Sequence, residues 1–184
     1  MKKMKKKYAM VIDTKVCVGC GACVVACKTE NEVPEGLHRD WIVEEITGSY
    51  PHLFMEVRSE RCNHCSDAPC VSACPTGASH YREDTENLVL VTPGKCTGCK
   101  ACMAACPYDA RFTMPEGYAS KCTFCEHRLD QGLDPACMSV CPAHAIFFGD
   151  LNNPESTVSL LLKKRQYRVL MPEVGTEPNI YYLT

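Results

Sequence analysis

Sixteen of the 184 residues are cysteine, and they fall into four groups of four with none left over. The groups are Cys17, Cys20, Cys23 and Cys27; Cys62, Cys65, Cys70 and Cys74; Cys96, Cys99, Cys102 and Cys106; and Cys122, Cys125, Cys137 and Cys141. The first and third read C-x2-C-x2-C-x3-C, the second C-x2-C-x4-C-x3-C and the fourth C-x2-C-x11-C-x3-C. Only the gap before the third cysteine varies. The closing C-x3-C is constant, and a proline (Pro75, Pro107, Pro142) follows it in every group but the first, which has Lys28. Hydrophobic residues make up 46% of the chain, a figure that counts the cysteines; without them the apolar core is thin for this length.

Three chemistries use cysteine this densely. A disulfide framework belongs to secreted proteins, and gaps of two residues do not suit one. Structural zinc takes four ligands as two spaced pairs, whereas here closely spaced triplets recur and histidine never completes a finger-like pair. The run C-x2-C-x2-C-x3-C is that of bacterial [4Fe-4S] proteins, whose fourth cysteine ligates the other cluster of a pair. The spacing has a physical reason. Three cysteines two residues apart let a tight loop hold three corners of an iron–sulfide cube. Glycines such as Gly19, Gly21 and Gly98 allow positive φ, so that backbone N–H groups point at sulfur. The loop enters a short helix, the fourth cysteine one turn on is directed at the neighbouring cluster, and the proline after it stops the helix.

The groups are internal repeats. Short runs rich in β-formers flank them at Tyr8–Ile12, Phe54–Arg58, Leu88–Val91 and Ala145–Phe148. The expected class is α+β: two bacterial-ferredoxin-like double-cubane modules of short strands and helices, with an extended C-terminal tail. The expected division is 1–60, the first half of module A with an inserted loop; 61–106, module B; 107–150, the second half of module A; and 151–184, a tail packing on the core or a partner. The stretch Asn31–Glu60, with Pro34, Gly36, Gly48, Pro51 and the only tryptophan, Trp41, reads as an excursion over clusters or toward a partner. Trp41 itself reads as packing. Glu126–Ala136 reads as a charged turn of helix ended by Gly132 and Pro135, either a solvated loop or a docking surface. Ser156–Arg165 suits one helix, and Met171–Thr184 an extended strap.

The formal net charge is −2, which argues against nucleic acid as a partner. Lys2, Lys3, Lys5, Lys6 and Lys7 make a basic start that reads as a disordered, solubilising end. The longest uncharged run from Lys15 to Lys28 falls far short of the roughly 20 apolar residues of a membrane helix, and the apolar stretch from Tyr8 to Asp13 is too short for a signal peptide. All sixteen cysteines are used as ligands, which leaves no nucleophile and no open metal position. The chain is therefore expected not to be catalytic.

Tyr8–Asp13, Cys17-Val18-Gly19-Cys20, Cys27-Lys28-Thr29-Glu30-Asn31, Cys74-Pro75-Thr76-Gly77-Ala78, Cys106-Pro107-Tyr108-Asp109-Ala110-Arg111, Lys121-Cys122-Thr123-Phe124-Cys125, Phe148-Gly149-Asp150-Leu151 and Asn179–Leu183 carry a resemblance. Nearly the whole chain resembles the four-cluster iron–sulfur subunits of the dimethyl-sulfoxide-reductase (molybdopterin) family, most of all those of polysulfide and thiosulfate reductases. Cys62-Asn63-His64-Cys65 and His127-Arg128-Leu129-Asp130 are shared with arsenate reductase subunits, which carry a longer stretch after the third group. The resemblance implies four [4Fe-4S] clusters with crossed ligands: Cys17, Cys20, Cys23 and Cys141; Cys27, Cys122, Cys125 and Cys137; Cys62, Cys65, Cys70 and Cys106; and Cys74, Cys96, Cys99 and Cys102. It implies one-electron transfer between a membrane-integral quinone-reactive subunit and a molybdopterin catalytic subunit in anaerobic respiration. It also implies attachment to the membrane through a partner, on the periplasmic face by export together with the catalytic subunit. The lack of a signal here fits the cytoplasmic face equally. A four-cluster subunit of a cytoplasmic hydrogenase or formate dehydrogenase system, and a zinc-built binding module, are the alternatives.

Each oxidised cluster with four thiolates carries about −2, which would bring the loaded chain to about −10. Lys15, Lys28, Arg61, Lys95 and Lys121 stand within two residues of ligands and would raise cluster potentials, or else be ordinary surface cations. His64 is either a donor to sulfur or an exposed histidine.

Overall fold

A computed structural model describes residues 5–184. In chain order the elements are β1 (Tyr8–Asp13), α1 (Ala22–Glu30), β2 (Asp40–Ser49), β3 (His52–Arg61), α2 (Pro69–Ser72), β4 (Ser79–Tyr81), β5 (Val89–Val91), α3 (Ala101–Ala104), β6 (Phe112–Thr113), β7 (Ala119–Ser120), α4 (Glu126–Leu129), α5 (Ala136–Ser139), β8 (Ile146–Asp150), α6 (Thr157–Lys164), β9 (Tyr167–Arg168) and β10 (Ile180–Leu183). The chain is thus α+β, with strands and helices that are mostly short.

One four-stranded sheet, in the order β8-β1-β10-β9, organises the core. β1 runs antiparallel to β8, with Met10 opposite Phe148, and parallel to β10, with Met10 opposite Ile180. A central strand covered on both faces reads as a continuous apolar run, as Ala9–Ile12 does. Met10 and Ile12 pack among the cysteines with Leu88, Ile146 and Tyr182. Ala9 and Val11 face the other way, against Val158 of α6 and Leu183. α6 starts where Ser156 Oγ accepts from the Ser159 N–H at 3.3 Å, an ordinary serine cap.

The C-terminal tail enters the central sheet. β10 lies inside the sheet between β1 and β9, and Ile180, Tyr182 and Leu183 are fully buried. Its preceding loop also binds the second cysteine group: the N–H groups of Ser66 and Asp67, in the lengthened gap, donate to Glu177 O and Thr176 O at 2.9 and 3.1 Å.

The excursion after the first group is a long hairpin. β2 and β3 pair antiparallel from Asp40↔Arg61 to Ser49↔His52. Its base is buried, and Trp41 packs against the core there. Its outer half exposes Ile46, Leu53, Phe54 and Met55. The base lies over the first cysteine loop, where a Cβ on Gly19 would stand 2.9 Å from Val57 Cγ1. β2 goes unread in the sequence because Pro34, Gly36 and Gly48 punctuate that stretch.

The helices follow the prolines. α2, α3 and α5 each last four residues and carry the third cysteine of their group, and each stops before the Cys-Pro pair. α1, with Lys28 in place of proline, runs on to Glu30. The charged insert forms α4 and is tied back to the chain: His127 Nε2 and Arg128 Nη1 meet Glu30 at 2.7 and 3.0 Å, and Arg82 Nη2 meets Asp130 at 2.5 Å. Lys2 and Lys3 lie outside the described residues. Lys5–Lys7 do not form a disordered end; their backbone carbonyls accept from Asn152 Nδ2 and from the N–H groups of Glu86 and Leu151. Among the described residues no helix is long and apolar enough to cross a membrane.

Candidate iron–sulfur sites

α1 packs against α5, and α2 against α3. The first cysteine group is thereby set beside the fourth, and the second beside the third. Cys17, Cys20, Cys23 and Cys141 line one cavity. Cys27, Cys122, Cys125 and Cys137 line another, and Cys74, Cys96, Cys99 and Cys102 a third. The remaining four, Cys62, Cys65, Cys70 and Cys106, lie near enough that charge on one raises the pKa of another. Cys23 and Cys27 stand on one helix a turn apart, about 6 Å along its axis, and open into different cavities.

The donor set fits a polynuclear group. Among the described residues no three His, Cys, Asp or Glu side chains converge on a point that a single metal ion could occupy. A zinc site would need such convergence, with sulfurs about 2.3 Å from the ion. The thiols stand around cavities instead, and donors are aimed at their sulfurs. The N–H groups of Ser79, Ala119, Phe124 and Ala145 reach Cys74, Cys96, Cys122 and Cys141 Sγ at 3.3, 3.5, 3.4 and 3.3 Å. Arg61 Nη1 donates to Cys137 Sγ and Arg111 Nη2 to Cys70 Sγ, each at 2.9 Å. Asn31 Nδ2 stands 3.8 and 3.7 Å from Cys27 and Cys125 Sγ. Such donors stabilise negative sulfur. In the bare chain burial pushes the thiol of Cys23 up to about 11 and those of Cys27 and Cys65 up to about 12. These sulfurs hold their protons at neutral pH until a metal displaces them.

Of the five cations near ligands, Lys15 and Lys95 are exposed and Lys28 is half-buried, its Nζ bonded to Pro34 O and Leu37 O at 3.1 and 2.9 Å. Arg61 and Lys121 are buried, at 1% and 2% exposure, and so are not surface cations. Arg61 faces Asp40 at 3.1 Å. Sequence reasoning missed Arg111 as a cation and Asp40 and Ser59 altogether. Arg111 stands five residues after a cysteine, a spacing with no signal of its own.

His64 is fully buried, which overturns its reading as an exposed histidine. Its Nδ1 accepts from the Val89 N–H at 3.2 Å, so the ring proton sits on Nε2, which has no partner among the described residues. Burial, with Lys121 and Arg111 nearby, holds its pKa well below the ordinary value.

Cysteine quartets gathered from separate groups of the chain, with N–H donors aimed at their sulfurs, define an iron–sulfur electron-transfer protein. Residues 53–151 and 16–79 each match a family model described as a 4Fe-4S dicluster domain. The chain is 37% identical over 226 residues to the iron-sulfur subunit of the arsenate respiratory reductase of Shewanella sp., covering 96% of each. It is 41% identical over 184 residues to one subunit of the tetrathionate reductase of Salmonella typhimurium, covering 97% of this chain and 73% of the relative. It is 36% identical over 212 residues to one subunit of the selenate reductase of Mesobacillus selenatarsenatis, covering 97% and 72%. The chain belongs to the 4Fe-4S dicluster family and, within it, to the iron–sulfur subunits of the molybdopterin reductases. It is an electron-transfer subunit and not a catalytic one.

Proposed function

We propose that the chain carries four [4Fe-4S] clusters as two double-cubane modules and passes electrons singly between a membrane-integral quinone-reactive subunit and a molybdopterin catalytic subunit. The first cluster takes Cys17, Cys20, Cys23 and Cys141, and the second Cys27, Cys122, Cys125 and Cys137. The third takes Cys62, Cys65, Cys70 and Cys106, and the fourth Cys74, Cys96, Cys99 and Cys102. The observation that carries this is the gathering of cysteines from distant groups around separate cavities. When bound, such clusters supply one-electron acceptance and release with little change of shape.

The rest is the work of the polypeptide. Crossed ligation, in which one helix supplies a thiol to each of two clusters, keeps the pair at a fixed short separation. Cys20 and Cys99 are the exposed cysteines, so the first and fourth clusters are the points of entry and exit. The first faces the catalytic subunit and the fourth the quinone-reactive subunit, with the complex on the periplasmic face.

For the substrate of the complex we favour polysulfide, thiosulfate or a related sulfur compound, ahead of arsenate. The alignment with the tetrathionate reductase relative covers 97% of this chain in 184 positions, whereas that with the arsenate reductase relative covers 96% in 226. The arsenate relative therefore carries insertions that this chain lacks.

The test is iron, acid-labile sulfide and zinc per chain on anaerobically purified complex. About sixteen iron and sixteen sulfide support four cubanes. Little iron with several zinc overturns the reading. A complex without a quinone-reactive membrane protein removes the proposed electron source.

A further inference from the structure

Three cations are buried among the sixteen cysteines, and each stands between two quartets, in direct contact with one and reaching the other directly or through one intervening residue. Arg111, 4% exposed, donates from Nη2 to Cys70 Sγ at 2.9 Å. It also lines the cavity of Cys74, Cys96, Cys99 and Cys102. Its Nε and Nη1 are buried and have no hydrogen-bond partner among the described residues. Arg61 donates from Nη1 to Cys137 Sγ at 2.9 Å and lines that quartet's cavity. From Nη2 it donates to Ser59, whose Oγ lies 3.6 Å from Cys23 Sγ in the neighbouring quartet. Lys121 donates from Nζ to Cys122 O at 2.7 Å and to the carbonyl of Val89, which packs with Cys65 and Cys70 of the next quartet.

Resting on the four-cluster reading above, we propose that Arg61, Lys121 and Arg111 occupy the three successive junctions of the cluster chain, first to second, second to third and third to fourth, and that each sets the reduction potentials of the two clusters it separates. Neighbouring clusters are anionic, and adding an electron to one disfavours adding an electron to the next. A fixed cation between two anions in a low-dielectric interior lowers the cost of reduction at both. A buried cation with no counter-charge is itself costly, so the junctions held by Arg111 and Lys121 need an anion that the polypeptide does not supply. Among the described residues Arg111 and Lys121 pair with no carboxylate, while Arg61 is partly offset by Asp40. Arg111, which alone joins the lack of a carboxylate to a direct bond to a ligand sulfur, therefore has the largest effect.

The experiment is an EPR-monitored redox titration of the intact, anaerobically purified complex, unsubstituted and with Arg111→Gln, Arg111→Lys or Arg61→Gln, with iron counted in each. Arg111→Gln is expected to make two of the four midpoint potentials more negative by at least a tenfold change in each one-electron equilibrium, about 59 mV. Arg61→Gln is expected to move the other two by less, and Arg111→Lys to restore most of the loss. Movement of all four alike, of one alone or of none overturns the proposal. So does a Lys variant as low as the Gln variant, which would assign the residue a role in shape only. If Arg111→Gln loses iron but Arg111→Lys stays loaded, near-normal potentials in the Lys variant support the proposal and lowered ones overturn it. Loss of iron in both overturns it. Failure of the four-cluster reading shows separately, as an unsubstituted complex with far from sixteen iron.

Discussion

His64 and Phe124 stack with ring centroids 3.8 Å apart and planes inclined by 26°. They occupy the same place in two repeats, the second residue after the first cysteine. Both have positive φ, 44° and 53°, where the first and third groups have Gly19 and Gly98 at 65° and 68°. A left-handed conformation costs a bulky residue about 1–2 kcal/mol. The two turns that lack glycine are thus the two whose side chains are packed on each other. Phe124 continues edge-on to Phe148 at 5.1 Å, so the contact ties the second and fourth cysteine loops to the sheet.

Replacing Phe124 by Ala removes this tie from a fully packed site. The expected loss is about 3–5 kcal/mol, the usual range for a buried Phe. It would be read as a lower denaturant midpoint and faster loss of cluster colour under anaerobic conditions. A loss below about 1 kcal/mol would mean that the ring merely fills space that the loops can close over.

The glycine turns give a graded prediction. Both Gly21→Ala and Gly98→Ala force a side chain into the left-handed region, which costs about 1–2 kcal/mol. A Cβ at Gly21 meets nothing within 4 Å, whereas one at Gly98 would come 2.6 Å from Gly117 O, a backbone atom. Gly98→Ala should therefore be clearly the worse of the two in cluster retention and thermal stability. Equal effects would show that backbone conformation alone matters at both.

Removing residues 179–184 deletes a central strand, not a loose end. β1 loses its parallel partner, β9 loses the strand it pairs with, and Asn179 no longer holds the second cysteine loop through His64 O at 2.7 Å and Asn63 O at 2.9 Å. A chain ending at Pro178 should accumulate as insoluble or iron-free protein. A soluble, fully loaded truncation would overturn this account of the tail.

The contrast between that tail and the cysteine loops shows what the sequence makes legible. Ligand positions are written locally, because a cube of fixed size demands fixed spacing and because proline after the fourth cysteine stops the helix at once. The helix Thr157–Lys164 is equally local, opened by Ser156. β10 is not: Ile180–Leu183 follows a proline-punctuated stretch, and only its pairing with β1, far away in sequence, makes it core. Arg111 and Asp40 are invisible for the same reason. A charged residue reads as surface until the folded chain buries it, as it does Asp40 beside Arg61 and Arg111 beside Cys70.

Glu30 anchors the inserted helix α4. The hydrogen bond from His127, with help from Arg128, holds its carboxyl below the ordinary carboxylate range. A depressed folded-state pKa means that the contribution is present above the unfolded value and is lost as pH falls through the folded one. Glu30→Gln at neutral pH should loosen the insert, raising hydrogen exchange over residues 126–134 while iron content stays unchanged. Unaltered exchange there would show that the backbone bonds of α4 suffice.

Removal of iron and sulfide should unfold the chain, and the buried cations make the argument sharper than the cysteines alone would. Without clusters the interior holds the Arg111 charge and a Lys121 ammonium whose pKa burial pushes down, neither with a carboxylate beside it among the described residues, and an uncompensated buried charge costs several kcal/mol. The thiols cannot offset them, since burial keeps Cys27 and Cys65 protonated at neutral pH, with pKa values pushed up to about 12. Folded domains of this size have only about 5–15 kcal/mol to lose, and here part of the core is the cluster environment itself. The cluster-free chain should lose its far-UV circular dichroism and bind hydrophobic dyes at neutral pH. Recovery should need iron and sulfide together, whereas zinc, which wants four sulfurs at one point, should not restore the native spectrum. A cluster-free chain that keeps native secondary structure and a cooperative thermal transition would overturn this account.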